Sequence, residues 1–405
     1  MSTGGEVNPI DREVVVVGAG PAGATAARCL AEAGREVALL DENEGPRTDI
    51  VCTGIVGREA FETLALPRGA VTDVVRRAWF FSPGGQAVPY EPTRPLARVV
   101  DRVRFDGALA RAAREAGAEV LRGHAARGVR REGGRVVVRC WTPDGEREVS
   151  GRALVVATGH QRWLHEEAGL GTPARYVHGV HADLPFTGLE GAELYFGNAV
   201  APGFFAWAVP FGEGTARLGV LAPQGGRRFF REFLSREPIR ARLGPEVRRA
   251  LEAGRGEPAR AFLRSRTRSR GIVQGPVSPS HADRVLAVGE AAGQVKTTTA
   301  GGIYFGMLGA DMAARVLDDG LAAGRLGAAS LARYEELWRG RLGPEIDMGL
   351  RLQSAVRDLG DAEIERVFGA LQNGVGRMVR RVVRFDWHRP ALKLLLSGVL
   401  SAAGP

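Results

Sequence analysis

Gly18, Gly20 and Gly23 fall in one hexapeptide, Gly18-Ala19-Gly20-Pro21-Ala22-Gly23, directly after the run Val14-Val15-Val16-Val17. Glycines so spaced suit a pyrophosphate: Gly18 for a tight turn, Gly20 for close backbone approach, Gly23 for close packing of helix on strand. The helix that follows turns its positive end toward the phosphates. Asp41, 23 residues after Gly18, can accept hydrogen bonds from ribose hydroxyls. A second segment, Lys296-Thr297-Thr298-Thr299-Ala300-Gly301-Gly302, opens a helix at Ile303. Its N–H groups suit a ring that gains negative charge on reduction. Other residues are ambiguous when read alone. Cys52 is a small apolar side chain or a reactive thiol, and Phe204, Phe205, Trp207 and Pro210 are core or cavity lining. His160, His165, His178 and His181 lack a nearby acidic ligand set, so no metal site is expected. No Ser/His/Asp arrangement has the context of a nucleophile elbow.

The elements around these residues follow a recognisable order. Val14–Val17 reads as a strand buried on both faces of a parallel sheet. An alanine-rich helix, 24–33, closes at Gly34, and a second buried strand, 36–40, delivers Asp41. Ala78-Trp79-Phe80-Phe81 leads to the turn Ser82-Pro83-Gly84-Gly85 and predicts a hairpin. A helix is expected over 105–116. Strands are expected at 119–121, 135–140, 147–149, 153–157 and 284–288, and a helix at 303–319. The alternation of aromatic and small residues over 176–221 predicts an antiparallel sheet, and the chain beyond 328 reads as mostly helical.

The chain has 405 residues, of which 44% are hydrophobic and 25% charged, enough for two joined domains with a sizeable core. Three cysteines (Cys29, Cys52, Cys140) make no disulfide framework and no CxxC pair. No apolar stretch approaches the ~18–20 residues of a membrane span, and residues 1–13 carry no secretory pattern. A cytoplasmic location is therefore expected. The net charge is 55 − 46 = +9, but only two of the basic residues are lysines and most arginines alternate with acids. Such a surface predicts no nucleic-acid partner. One region differs: from 376 to 405, Arg377, Arg380, Arg381, Arg384, Arg389 and Lys393 face Asp386 alone, 6 − 1 = +5. With Phe385, Trp387, Leu392, Leu394, Leu395 and Leu396 it reads either as an amphipathic helix packed on the body or as a peripheral contact with an anionic bilayer at the inner face of the membrane.

One dinucleotide fingerprint, no second βαβ unit, and a return to the sheet at Val288-Gly289-Glu290-Ala291-Ala292-Gly293 together predict FAD as the cofactor. Four motifs then carry a resemblance: Arg47 to Val56 (RTDIVCTGIV), Val100 to Leu109 (VDRVRFDGAL), Pro202 to Pro210 (PGFFAWAVP) and Val288 to Leu308 (VGEAAGQVKTTTAGGIYFGML). From about residue 12 to 345 the chain resembles the geranylgeranyl reductase family, FAD-dependent reductases of isoprenoid double bonds. The resemblance implies an α/β fold with a Rossmann-type FAD-binding domain (glutathione reductase or p-hydroxybenzoate hydroxylase type), an inserted antiparallel-sheet substrate domain and a helical C-terminus. The implied domains are 1–75, 98–170 and 283–325 for FAD; 76–97 and 171–282 for substrate; and 326–405 for the helical end.

On the same resemblance, Gly18, Gly20, Pro21, Ala22, Gly23 and Asp41 bind the cofactor's pyrophosphate and ribose, and Ala126 touches its adenine. Cys52, Thr53, Ile55 and Arg102 lie by the flavin. Glu290 stands where the family usually carries Asp at the ribityl chain, and Gly301, Gly302 and Ile303 meet the pyrimidine edge. Phe204, Phe205, Trp207 and Pro210 line the substrate cavity, with Phe205 where a Tyr is usual. Cys52, or a water it positions, is the candidate proton source, and Phe205 and Trp207 are the faces that would stabilise a cation formed on the alkene. The implied substrate is a prenyl lipid or quinone, with NAD(P)H or ferredoxin as the electron donor. Two alternatives stand beside this. One is a flavin monooxygenase or halogenase, although oxygenases of the fold usually have Asp-Gly where this chain has Thr158-Gly159. The other is a quinone-linked electron carrier.

Overall fold

The computed structural model describes residues 10–45, 47–253, 261, 264–372, 378 and 381–394. Arg377, Arg380, Leu395 and Leu396 of the basic segment lie outside the described residues. Three sheets carry the fold. The first has, side by side, the parallel strands Glu119–Leu121, Val37–Leu40, Ile10–Val17, Gly145–Val156 and Val285–Ala287, with His281–Ala282 antiparallel at the edge. Val14 to Val17 are at most 5% exposed, as expected of a strand covered on both faces. Val14 and Val16 face a core built with the helices Pro21–Glu32, Arg102–Glu115 and Ile303–Ala322. Val15 and Val17 face a second core under the strands Ala125–Glu132 and Arg135–Thr142.

The strand expected at 147–149 and the one at 153–157 are a single strand, Gly145–Val156. Its first half pairs antiparallel with Arg135–Thr142 and its second half parallel with Ile10–Val17. Gly151 is paired on both sides, with Val136 and with Arg12. The break in hydrophobicity there marks a change of partner and not a turn.

The seven-stranded sheet runs Arg268–Val273, Tyr176–Pro185, Thr215–Ala222, Ala206–Pro210, Ala192–Tyr195, Ala78–Phe81, Ala87–Tyr90. Neighbours are antiparallel except for the parallel pair 192–195 with 78–81. Beside this sheet the sequence pattern missed the helices Gly226–Ser235, Glu237–Arg240 and Pro245–Glu252, whose many charges hide a narrow apolar stripe. That stripe (Phe230, Phe233, Leu234, Ile239, Val247) covers the outer face of this sheet on Val180, Ala182, Leu218 and Val220. The third sheet, Ile55–Gly57, Ala97–Val100 and Val71–Val75, is built from segments on either side of the 78–90 hairpin.

The long helix Ala328–Val356 belongs to the first core through Leu331, Tyr334, Trp338, Leu342 and Ile346, all fully buried. A division of the chain at 326 therefore cuts through one core. On this helix, Glu335 accepts from the Ser280 N–H (2.7 Å), the Ser278 hydroxyl (2.7 Å), the Ser280 hydroxyl (3.1 Å) and His281 Nδ1 (3.1 Å). Burial alone would raise its carboxyl pKa, but these donors more than reverse that and hold it below the ordinary value. The stabilisation is therefore complete above the unfolded carboxyl value of about 4.3 and is lost as pH falls through the lower folded value. Acid titration of unfolding should have a smaller slope in that window for Glu335→Gln. Equal slopes would mean that Glu335 is not a major contributor.

Candidate active site

One continuous cavity of about 990 Å³ joins the glycine hexapeptide to the inner face of the seven-stranded sheet. At one end are Gly18, Gly20, Pro21, Ala22, Asp41 and Ala126, brought together at the C-terminal edge of the parallel strands. Gly18 has φ +105°, and a side chain there would strike the Ala157 carbonyl. Gly23 does not line the cavity. A Cβ on it would overlap the Gly18 carbonyl, so its role is the close helix–strand packing. A Cβ on Gly20 would meet nothing, which leaves its backbone open to a ligand. The helix Pro21–Glu32 has neither a side-chain cap nor an acid in its first turn, so its N–H groups are available for an anion. Asp41 accepts from the Ala19 N–H (3.2 Å) and from the Asn43 backbone and side chain (2.8 and 2.9 Å), which fixes its carboxylate.

The middle of the cavity holds Cys52, Thr53, Ile55, Arg102, Glu290, Gly301, Gly302 and Ile303. The helix Ile303–Ala322 begins at Gly302 with no side-chain cap, so its first N–H groups face the cavity. Ala300 just before it has φ +54°, a conformation alanine rarely adopts. Arg102 pairs with Asp106 in fork geometry (2.9 and 2.8 Å). Burial would lower its pKa, but Asp106 and the neighbouring Cys52 thiol raise it, so Arg102 stays charged beside the sulfur. Glu290 departs from the expectation for a ribityl ligand. Its oxygens accept from Arg270 Nη1 (2.8 Å) and the Val273 N–H (3.0 Å). The methylene that Glu has beyond Asp carries the carboxylate across to strand 268–273, where it ties the two sheets together.

Arg217, unmarked by any sequence motif, holds the cysteine loop. It pairs with Asp183 through two bonds (2.6 and 2.8 Å) and donates to the carbonyls of Cys52 (3.0 Å) and Thr53 (3.1 Å). The side chain is 8% exposed and stacks on Phe211. Arg217→Met should lower stability by about 3 kcal/mol, the low end for breaking a buried ion pair because Asp183 keeps some solvent. Arg217→Lys should recover only part of this, since a point charge cannot replace the fork. Denaturant unfolding of both variants checks this. A loss under about 1 kcal/mol in Arg217→Met would contradict the clamp.

At the far end the sheet forms the cavity floor. One row of paired residues crosses all seven strands: Arg268, His181, Gly219, Trp207, Leu194, Phe80, Val88. It passes from charged to apolar along its length. Strand alternation turns Trp207 and Val209 into the cavity, and Ala206 and Ala208 to the outer core. Pro210, expected as lining, follows the even-numbered residues and is not in the cavity wall. Phe204 and Phe205 do line it. The rings of Phe205 and Trp207 lie 6.1 Å apart, and Phe196, which the motifs did not flag, lies tilted to Phe205 (6.0 Å) and edge-on to Phe368 (5.7 Å). The roof, also absent from the motifs, comes from the helical end: Leu352, Val356, Ile364, Val367 and Leu371.

The described stretch 381–394 of the basic segment packs on the body. Phe385 covers Lys296 (4.7 Å to the ring), Trp387 Nε1 donates to Glu59 (2.9 Å), and Leu392 is buried. Lys296 donates to the Phe385 carbonyl and lies 3.7 Å from Asp386. Burial pushes the Lys296 ammonium down and the Asp386 carboxyl up, each opposed by the other's charge. The histidines do not form one group: His165 is fully buried and bonded to the Ala291 carbonyl (2.9 Å), whereas His160 and His181 border the cavity.

A glycine cradle with an acid behind it, a second uncapped helix across the same cavity and an apolar sheet beyond define a Rossmann-type flavoprotein with a separate substrate sheet. Residues 12–180 match the pyridine nucleotide-disulphide oxidoreductase family. The chain is 32% identical over 375 residues to digeranylgeranylglycerophospholipid reductase 2 of Methanothermobacter thermautotrophicus, covering 89% of this chain and 91% of the relative. It is 27% identical over 386 residues to the digeranylgeranylglycerophospholipid reductase of Methanocaldococcus jannaschii, covering 92% and 94%. A geranylgeranyl bacteriochlorophyll reductase-like protein from Thermoplasma acidophilum superposes with a TM-score of 0.81 at 18% identity over 97% of this chain and 96% of that one. A flavin-dependent brominase superposes with 0.66 at 18% identity over 96% and 94%. The chain belongs to the geranylgeranyl reductase family and is an FAD-dependent oxidoreductase. The residues present fit that cofactor: an open Gly20 backbone, two uncapped helix ends, and a fixed Asp41.

Proposed function

We propose that the protein reduces carbon–carbon double bonds in the prenyl chains of a lipid or a quinone. The observation that carries this is the single cavity in which the glycine cradle and an aromatic-aliphatic chamber are continuous. The sequence relatives named as lipid reductases support it. The likeness to halogenases and monooxygenases, at 15–21% identity, is one of fold.

Reduced FAD supplies the hydride equivalent when bound. Gly18, Gly20, Pro21, Ala22 and Asp41 hold its pyrophosphate and ribose, Ala126 borders the adenine, and Gly301, Gly302 and Ile303 meet the ring edge. An unactivated alkene accepts a proton more readily than a hydride, because a tertiary cation is far better stabilised than a carbanion without a carbonyl. Cys52, or a water on it, gives that proton, and Arg102 beside the sulfur keeps the thiol oriented. Phe204, Phe205 and Trp207 face the cation, each aromatic contact being worth up to ~2 kcal/mol where water is excluded. The chamber binds the chain at ~0.8 kcal/mol per buried CH₂. The electron donor is NAD(P)H or ferredoxin, and offering each alone under anaerobic conditions decides between them.

A prenyl lipid has to be taken from a bilayer, and the protein acts there as a cytoplasmic protein at the inner membrane face. No helix among the described residues is long and apolar enough to cross a membrane. Phe385, Trp387 and Leu392 are spent on the body, so the contact is electrostatic, through the exposed Arg381, Arg384, Arg389 and Lys393. Sedimentation should find binding to anionic vesicles that salt abolishes, and equal binding to neutral vesicles would refute it. The function itself is tested by incubating reduced protein, without oxygen, with a geranylgeranyl lipid and an unsaturated menaquinone. Products heavier by successive pairs of hydrogens support the reading, and unchanged substrates with a hydroxylated or halogenated product in air would replace it.

A further inference from the structure

The cavity floor contains two buried polar side chains with no partner. His181 is 2% exposed and Trp207 is 8% exposed, and His181 Nδ1, His181 Nε2 and Trp207 Nε1 are all without a hydrogen bond. Such groups are rare because each unmade bond is costly. They are also neighbours. Both residues pair with Gly219, one from either side, and the indole lies over that glycine: a Cβ there would collide with Cε2, the ring carbon bonded to Nε1. The absence of a side chain at 219 brings the indole N–H edge toward the imidazole. Both residues line the cavity, and the row of paired residues through them runs from Arg268 on one side to Leu194, Phe80 and Val88 on the other.

We propose that Trp207 Nε1 and the His181 imidazole form a subsite for one hydroxyl-type oxygen, which accepts from the indole N–H and bonds to a ring nitrogen. The imidazole is suited to this because it is neutral. Burial, reinforced by Arg217 and Arg268, pushes its pKa down to about 4 against the opposing pull of Asp183 and the nearby Ile50 backbone, which approaches the ring without completing a hydrogen bond. At neutral pH it therefore offers one donor and one acceptor nitrogen. The oxygen belongs either to the hydroxyl of a prenyl substrate or to a resident water, the size of the gap being set by Gly219. The subsite deepens the prenyl-reductase reading and, in its substrate form, rests on it.

The test pairs equilibrium binding with crystallography on the FAD-loaded protein. Geranylgeraniol and the same C20 chain lacking the hydroxyl are titrated into the unmodified protein, Trp207→Phe, His181→Leu and His181→Gln, with FAD content and thermal unfolding as folding controls. If the oxygen is the substrate's, the alcohol binds about tenfold more tightly than the hydrocarbon. Trp207→Phe and His181→Leu each remove that preference, and His181→Gln, which keeps a donor and an acceptor, retains most of it. If the oxygen is water, the alcohol has no advantage, and the crystal structure has an ordered water bonded to both side chains that is missing in Trp207→Phe. No preference together with no such water would overturn the subsite. Failure of both ligands to bind while the water is present would overturn the prenyl reading and leave the subsite standing.

Discussion

Alanine at Cys52 is expected to slow prenyl double-bond reduction in a single turnover by about 100-fold, the usual contribution of a placed proton donor. The solvent isotope effect should change with the rate, because the proton must then come directly from water and not from the thiol. The geometry behind this is specific. Arg217 fixes the carbonyls of Cys52 and Thr53, Arg102 stands beside the sulfur, and the Gly54 N–H approaches Sγ at 3.3 Å. Leucine at Trp207 should slow the same step by about 30-fold, the equivalent of ~2 kcal/mol of lost cation stabilisation. It should do so with flavin content unchanged, since the indole is on the sheet floor and not in the glycine cradle. Stopped-flow measurement on both variants checks this, and wild-type rates in both would mean that the motif is core packing only.

Asp41→Ala is expected to weaken FAD binding by about 10- to 100-fold, the loss of hydrogen bonds to a charged group. Its carboxylate follows the strand Val37–Leu40 and is already oriented by Ala19 and Asn43, so a bound ribose would meet a fixed acceptor. The ribose belongs to the adenosine half, so FMN, which lacks that half, should bind the variant and the wild type equally. Equilibrium dialysis with each flavin reads the difference. A protein that purifies with FMN, or an Asp41→Ala variant with unchanged FAD affinity, would contradict the orientation assigned to the cofactor.

The cofactor half of the site was legible because its determinants are local. Gly18, Gly20 and Gly23 act through backbone within one turn, and Asp41 follows one strand later. The substrate half was legible only where a motif carried it. Phe204, Phe205 and Trp207 are contiguous, whereas Phe80, Phe196, Phe368 and the 352–371 aliphatics converge from four distant segments whose pairing no periodicity reveals. Pro210 was misjudged because a motif preserves residues of both strand faces, and alternation sends only one face inward. Glu290 lines the cavity, but its bonds to Arg270 and the Val273 N–H come from a strand that no motif joins to it. Arg217 could not be found at all: one arginine among 53 is invisible until the sheet register sets it opposite Asp183.

On the proposed function, electrons leave this protein into a prenyl double bond. Anaerobic mixing of the fully reduced holoprotein with a geranylgeranyl lipid, followed by flavin absorbance and product mass, tests it most directly. The flavin should be reoxidised in proportion to the lipid supplied, with two hydrogens gained by the lipid for each flavin oxidised. Flavin that stays reduced until oxygen is admitted, with the lipid unchanged, would contradict it.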